Sequence, residues 1–476
     1  MRATCLIFIL LLWNSTIKVH GETAKAPINL SYERFGKVWI YTPSQPTKGV
    51  VLFVSGDGGW NKGVVEMAQS ICNLNMTVVG IDIVYFINHL RQSKEKCLYP
   101  AADFEELSLY VQKKLNFKQY FKPILLGYSS GATLIYAVLA QAPVNTFKGA
   151  VAMGFCPDLD LAKPFCEGHG LKYQITKPGK TIWFDRCENL GAPFIALQGT
   201  IDQVCPPAST ASYLKGMKNA EIILLPKVGH GFSVQSRWMP QMKDAVIKIQ
   251  AMPSFGTSVS PEPKPGVSAE HLSHLPLIYT KSYSNPELPL ALIVSGDGGW
   301  TNFDQSIADK LSQRGIPSIG IDTQKYFWES KTPDLTAKDF NDALSFYAYH
   351  LQKKKIILLG YSFGADVIPF VASRLEPELK SKLNLIAMLS PDKKSDFEVT
   401  LSSMLEVGHD SKYDVLAEVG KLSFTRKLCI FGNDENVSDI INAMKIFSAR
   451  IVLLGEGHHY SDNYDGIVNA IFQDLR

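Results

Sequence analysis

Short apolar runs alternate with segments of helical spacing along nearly the whole chain. V-L-F-V at 51–54, T-V-V-G-I at 77–81, I-L-L at 124–126, P-F-I-A-L at 193–197 and E-I-I-L-L at 221–225 have the length of buried strands. The same rhythm returns with A-L-I-V at 291–294, S-I-G-I at 318–321, I-I-L-L at 356–359, K-L-C-I-F at 427–431 and R-I-V-L-L at 450–454. G-K-V-W-I-Y at 36–41 and L-I-Y-T at 277–280 predict an opening strand for each series. Residues 103–115 and 339–351 carry helix-like apolar spacing and both begin Asp-Phe, with Asp103 and Asp339 placed as N-caps or first-turn residues. Strands alternating with helices of this length predict an α/β fold, a mostly parallel sheet covered on both faces.

The two series are copies of each other. V-S-G-D-G-G-W at 54–60 returns at 294–300, an offset of 240, and G-I-D at 80–82 returns at 320–322. Gly-Tyr-Ser-Ser-Gly at 127–131 returns as Gly-Tyr-Ser-Phe-Gly at 360–364, an offset of 233. Matches this ordered predict duplication of a whole domain. A chain of 476 residues accommodates two domains of about 200 residues each. Residues 253–275 contain P-S-F-G-T-S-V-S-P-E-P-K-P-G and lack apolar periodicity, so they read as a linker. The predicted organisation is a leader at 1–26, a first domain at 27–252, this linker, and a second domain at 276–476, the main catalytic one.

The leader rests on Arg2 followed by an apolar Cys5–Trp13 and then polar residues, the pattern of a secretory signal peptide. Secretion makes disulfides available to the six cysteines of the first half: Cys72, Cys97, Cys156, Cys166, Cys187 and Cys205. Up to three bridges are expected there, with no pairing assigned, whereas Cys429 reads as a buried thiol. A net charge of +3 offers no footprint for nucleic acid. No cysteine or histidine spacing fits a metal site, and G-D-G-G is neither a phosphate loop nor a dinucleotide fingerprint, so no metal and no cofactor is expected. His271 and His274, in or beside the linker, read as solvated.

The candidate chemistry lies at strand ends. An apolar run, then Gly-X-Ser-X-Gly, then a helical pattern is the context in which a sharp turn lifts a serine hydroxyl above a sheet, so Ser129 and Ser362 are candidate nucleophiles. A serine needs an imidazole to take its proton and an acid to hold that imidazole. In the chain order Ser, acid, His, the first copy offers Ser129, Asp202 and His230; the second offers Ser362, Asp434 and His458. Serine and acid are 73 and 72 residues apart in the two copies. His459 rivals His458, but His230-Gly231 at the matching place favours His458. Glu435 rivals Asp434, but Gln203 follows Asp202, which favours the first acid. The N–H of Phe363, with one from Asp297 or Gly298, would form an oxyanion hole; in the first copy Ser130, with Asp57 or Gly58, would do so. Trp300 and Trp60 read equally as pocket walls or as packing aromatics. Asp322 and Asp82 sit at a strand's carboxyl end, where they would touch substrate or position loops. Asp366, one helical turn after Ser362, could bind an amine or anchor the G-D-G-G loop; Thr133 replaces it in the first copy.

V-S-G-D-G-G-W, G-I-D, G-Y-S-F-G-A-D and G-H-H-Y together resemble the bacterial virulence protein family called AcvB or VirJ. The two-domain length resembles the AcvB form, and residues 285–476 resemble the shorter VirJ form. The resemblance implies periplasmic tandem α/β-hydrolase-like domains, some of whose relatives release the amino acid from aminoacyl-phosphatidylglycerol, notably the lysyl form. It implies Ser362 as the catalytic serine, peripheral contact with an anionic, aminoacylated membrane, and a link to type IV secretion. The first domain departs from the motif at Ser130 and Thr133 but keeps Ser129, Asp202 and His230, so catalysis there stays open beside a role in membrane docking or substrate delivery. Two other functions fit the same residues: a noncatalytic adaptor for secreted proteins, and a general carboxylesterase or lipase.

Overall fold

A computed structural model describes residues 26–143, 146–161, 163–168, 170–177, 180–252, 272, 275–283, 285–399 and 411–475. The leader, most of the linker, His271 and His274 lie outside the described residues. The strands of the first half are β1 Ile28–Tyr32, β2 Gly36–Tyr41, β3 Gly49–Val54, β4 Met76–Ile81, β5 Ile124–Tyr128, β6 Gly149–Met153, β7 Asp158–Leu159, β8 Tyr173–Lys177, β9 Thr181–Phe184, β10 Asn189–Gly199 and β11 Lys218–Leu225. Those of the second are β12 Leu277–Thr280, β13 Leu290–Val294, β14 Ser318–Ile321, β15 Ile356–Tyr361, β16 Leu383–Leu389, β17 Lys394–Ser395, β18 Tyr413–Asp414, β19 Arg426–Phe431 and β20 Arg450–Leu453.

Eight strands of the first half form one sheet in the order β1-β2-β4-β3-β5-β6-β10-β11, and seven of the second form another in the order β12-β14-β13-β15-β16-β19-β20. From β4 and β14 onward every pairing across the sheet is parallel, and the antiparallel strands sit at one edge. The central strands are buried along their whole length, which is why their sequences are continuous apolar runs without alternation. Each sheet separates two apolar cores, so helices cover both faces. Leu272 and Leu275, at the end of the expected linker, belong to the second domain's core. Among the described residues no helix is long and apolar enough to cross a membrane.

Some local expectations need correction. The helix holding Asp339 begins at Pro333 and is capped by Thr332, so Asp339 lies inside it and accepts a hydrogen bond from the Tyr326 hydroxyl at 2.6 Å. Two disulfides form, Cys97–Cys166 and Cys156–Cys205; Cys72, Cys187 and buried Cys429 stay outside them. The three-stranded sheet β7-β9-β8 branches from the first domain, where no strands were expected.

The two domains touch where the helix Pro100–Lys114 and the loop after it meet residues 322–328. Trp328 Nε1 donates to the Phe117 carbonyl at 3.0 Å, and Lys325 Nζ lies 3.5 Å from Glu105 while also bonding Asp322. Burial lowers the Lys325 pKa, but the two carboxylates outweigh it and hold the ammonium above its usual range; burial pushes Glu105 up to about 7.

Candidate active sites

Both serines occupy the turn that the spacing predicted. Ser129 has φ 54° and Ser362 φ 50°, in the left-handed region that non-glycine residues seldom adopt, each between a strand and the helix that follows. The turn is possible because the neighbouring glycines lack side chains. A Cβ on Gly131 would lie 2.3 Å from the Ser55 carbonyl oxygen, and one on Gly364 would lie 2.1 Å from that of Val294. The first turn of each helix is thus pressed against the end of the strand beside it. That leaves the backbone N–H of Ser130 and Phe363 at a helix N-terminus, where negative charge is favoured.

In the first domain the expected relay is assembled. Ser129 Oγ is 2.9 Å from His230 Nε2, and His230 Nδ1 is 2.8 Å from Asp202 Oδ2. Asp202 is buried and its other oxygen accepts the N–H groups of Val204 and Cys205 at 2.9 and 2.8 Å, while Gln198 Nε2 donates to Oδ2 at 3.1 Å. These bonds fix the carboxylate facing the ring. The Tyr128 hydroxyl donates to the His230 carbonyl at 3.0 Å, and Cys156–Cys205 ties the acid's loop to the segment after β6.

In the second domain the acid differs from expectation. His458 Nδ1 is 2.7 Å from Glu435 Oε1, not from Asp434. Asp434 Oδ1 instead accepts the Gly457 N–H, holding the loop that carries the histidine. Counting from the glycine at or just after the end of each strand explains the correction. Asp202 is the third residue after Gly199 and Glu435 the third after Gly432, so the acids stand 73 residues after their serines in both copies. Glu435 Oε2 accepts the Gly432 N–H and the Ser390 hydroxyl, both at 2.8 Å. Burial pushes this carboxyl up, but its hydrogen bonds, that of His458 first, outweigh burial and leave it below its usual range. His459 is directed to the Tyr361 hydroxyl at 3.1 Å, and burial, with the neighbouring His458, lowers its pKa. His458 is therefore the imidazole that shares a cavity with Ser362. No hydrogen bond joins the two in this structure, unlike the first domain.

That cavity measures about 960 Å³. Among the described residues seven carboxylates line it, Asp297, Asp366, Asp392, Asp396, Glu398, Glu435 and Asp439, along with four lysines, Lys331, Lys393, Lys394 and Lys412. Asp366 accepts the Asp392 N–H at 2.7 Å, and burial raises its pKa well above the carboxylate range. Asp297 reaches the cavity, whereas the Gly298 N–H is turned to Asp297 Oδ1 at 3.0 Å. Phe363 lines the cavity beside Ser362.

Trp300 and Asp322 are not in it. The Trp300 ring is buried over Gly320, with Nε1 donating to Gln305 at 3.0 Å, and Trp60 takes the equivalent place over Gly80. Asp322 caps the helix Thr323–Tyr326 and pairs with Lys325, just as Asp82 caps the helix Ile83–Gln92 and accepts the Trp60 N–H. Both aspartates organise the loops, and neither lines the cavity of its domain. Among the described residues no group of three His, Cys, Asp or Glu side chains is arranged to hold a metal ion.

The family model for the bacterial virulence protein VirJ matches residues 48–155 and 289–476, and the chain belongs to that family. The second stretch contains Ser362, Glu435 and His458; the first contains Ser129 but stops before Asp202 and His230. No curated relative matches the sequence. Solved structures similar to part of the chain include Est1E from Butyrivibrio proteoclasticus, 10% identical with TM-score 0.32 over 48% of this chain and 100% of its own. A second is an alpha-beta serine hydrolase homologue from Coxiella burnetii, 14% identical with TM-score 0.32 over 48% of this chain and 97% of its own. A third is a dienelactone hydrolase from Anabaena variabilis, 16% identical with TM-score 0.31 over 47% of this chain and 97% of its own.

Proposed function

We propose that the second domain is a serine hydrolase that cleaves the amino-acid ester of aminoacyl-phosphatidylglycerol at the outer face of a bacterial inner membrane. The observation that supports this reading is the single cavity shared by Ser362, the His458–Glu435 pair and a lining of mixed charge. Its volume, about 960 Å³, lies at the upper end of the range for small-molecule sites and suits an amino acid together with a glycerol phosphate.

The chemistry follows from the placement. Ser362 Oγ attacks the ester carbonyl as His458 Nε2 takes its proton, and Glu435 stabilises the imidazolium through Nδ1. The Phe363 N–H and one from the Asp297 loop receive the oxyanion. The glycerol hydroxyl leaves with the histidine's proton, and water then releases the amino acid from Ser362 by the reverse sequence of proton transfers. Asp366, buried beside the carboxylates of Asp392 and Asp297, would recover its charge beside a substrate ammonium, and the lysines suit the lipid phosphate. The disulfides fit an oxidising compartment such as the periplasm.

Vesicles containing lysyl- or alanyl-phosphatidylglycerol test the reading. The full chain should release amino acid, and Ser362→Ala should not. Asp366→Asn should lower turnover of the lysyl lipid about 10- to 100-fold more than that of a neutral ester, the worth of one hydrogen bond to a charged group. Equal losses on the two substrates would remove the amine-binding role. If a fluorophosphonate fails to modify Ser362, the second domain is an adaptor built on a hydrolase scaffold.

A further inference from the structure

We propose that the first domain carries a second, self-contained active site, in which Ser129 hydrolyses esters of short acyl groups that bear no acid group. The relay Ser129–His230–Asp202 is complete at 2.9 and 2.8 Å, and every element of it comes from the first domain. A domain kept only for docking has no need of a buried acid with both oxygens satisfied, an imidazole aligned on it, and a serine held at φ 54°. Strain and desolvation of this kind persist where a site uses them.

The substrate class follows from the cavity beside the elbow. It measures about 220 Å³ and is lined by the carboxylates Asp57 and Asp160, by Ser130 directly after the nucleophile, and by the apolar side chains Ile83, Val84, Ile87 and Leu159. A cavity of about 150 Å³ holds benzene, so this one takes an acyl group on the order of a hexanoyl or benzoyl group and no long chain. Arg91 at its margin is already engaged by the Asn88 side chain and the Asp160 carbonyl, so no guanidinium is left to call for an acid group. Ser130 Oγ is buried without a hydrogen-bond partner and belongs to a residue lining this cavity. A bound ester oxygen would satisfy it. The second domain has Phe363 at that position and lines its larger cavity with charge.

The reaction balances without a cofactor. Ser129 Oγ bonds to the acyl carbon as its proton passes to His230 Nε2. The ester C–O bond breaks, and the alcohol leaves with that proton. Water repeats the steps in reverse, giving the carboxylic acid and free Ser129. None of this uses Ser362, so either assignment can fail while the other stands.

The test uses the full secreted chain. It is treated with a fluorophosphonate and digested, and the modified peptides are identified by mass. In parallel, p-nitrophenyl acetate, butyrate, hexanoate and palmitate are compared as substrates. The expected results are an adduct on Ser129, butyrate or hexanoate turned over at least about tenfold faster than palmitate, and loss of that turnover in Ser129→Ala. Ser130→Phe should raise KM for hexanoate with a smaller change in kcat, a split that a merely structural change would not give. An adduct on Ser362 alone overturns the proposal and leaves the second-domain reading intact. An adduct on Ser129 alone does the opposite, and adducts on neither serine remove both. A preference for palmitate overturns the short-acyl class. The adduct map on the unmodified chain decides the question even if Ser129→Ala does not fold.

Discussion

Replacing Glu435 by Gln should stop the second site without unfolding it, and the hydrogen bonds say why. Glu435 Oε2 accepts two donors, the Gly432 N–H and the Ser390 hydroxyl, each at 2.8 Å, while Oε1 faces His458 Nδ1 at 2.7 Å. A glutamine would keep its carbonyl oxygen on the two donors, because turning the amide group toward them would set N–H against N–H and O–H. Its NH2 must then face Nδ1, which can only accept. That places the imidazole proton on Nε2, the nitrogen that has to take the proton of Ser362. The same exchange in a known triad lowers kcat by about 10⁴, or roughly 5.4 kcal/mol of transition-state stabilisation. Fold stability should change by no more than about 1 kcal/mol, since the other two bonds survive. Asp434→Asn keeps an oxygen for the Gly457 N–H and should cost less than about tenfold in kcat, under 1.4 kcal/mol. Amino-acid release from lipid vesicles and the rate of fluorophosphonate labelling measure both variants, with circular dichroism as the folding control. If Asp434→Asn collapses the rate while Glu435→Gln stays within tenfold of the parent chain, the assignment of the acid is wrong.

Two further outcomes follow from the geometry. Replacing both Cys156 and Cys205 by Ala should slow short-ester turnover at Ser129 roughly tenfold, about 1.4 kcal/mol of lost positioning, because the Cys205 N–H holds Asp202 at 2.8 Å. Labelling of Ser362 should be unaffected, and unchanged butyrate kinetics would show that the bridge does not hold the acid. Lys325→Met leaves Asp322 and Glu105 facing each other in a buried contact without their cation, which should destabilise the chain by about 3–5 kcal/mol in urea unfolding; a loss below about 1 kcal/mol would mean that water reaches this contact.

The parts of the fold that could be read from the sequence are those set by local physics. A central parallel strand must be apolar throughout, so V-L-F-V and I-I-L-L announced themselves, and the glycine–serine–glycine turn followed because only small residues permit its backbone approach. The three-stranded branch β7-β9-β8 stayed hidden because β8, Tyr173–Lys177, is largely exposed and carries no continuous apolar run. Trp300 and Asp322 were ambiguous for a different reason: residues at the carboxyl edge of a sheet can turn toward the cavity or under the loop, and burial alone decides. The acid of the second site could have been found. The signal was the count from the glycine at or just after the strand end, which singles out Glu435; comparing the residues after each acid, Gln203 and Glu435, pointed to Asp434 instead.

The duplication also shows how one scaffold arrives at two cavities. At the equivalent place on the nucleophile helix, Thr133 Oγ1 donates to the Cys156 carbonyl at 2.6 Å, and Asp366 accepts the Asp392 N–H at 2.7 Å. Each side chain ties the helix to the segment following the next strand, with donor and acceptor exchanged. Asp366 therefore has a structural task beyond any role toward an amine, and the two tasks are compatible because one oxygen is enough for the tether. The helix after the aspartate shared by the two copies differs in length. In the first domain it runs from Ile83 to Gln92, and Ile83, Val84 and Ile87 line a cavity together with Ser130. In the second it stops at Tyr326, and Lys331, Thr332 and the residues around Asp392 line the cavity. The cavity beside Ser130 measures about 220 Å³ and the one at Ser362 about 960 Å³, while the strand, the elbow and the acid–imidazole pair are kept in both copies.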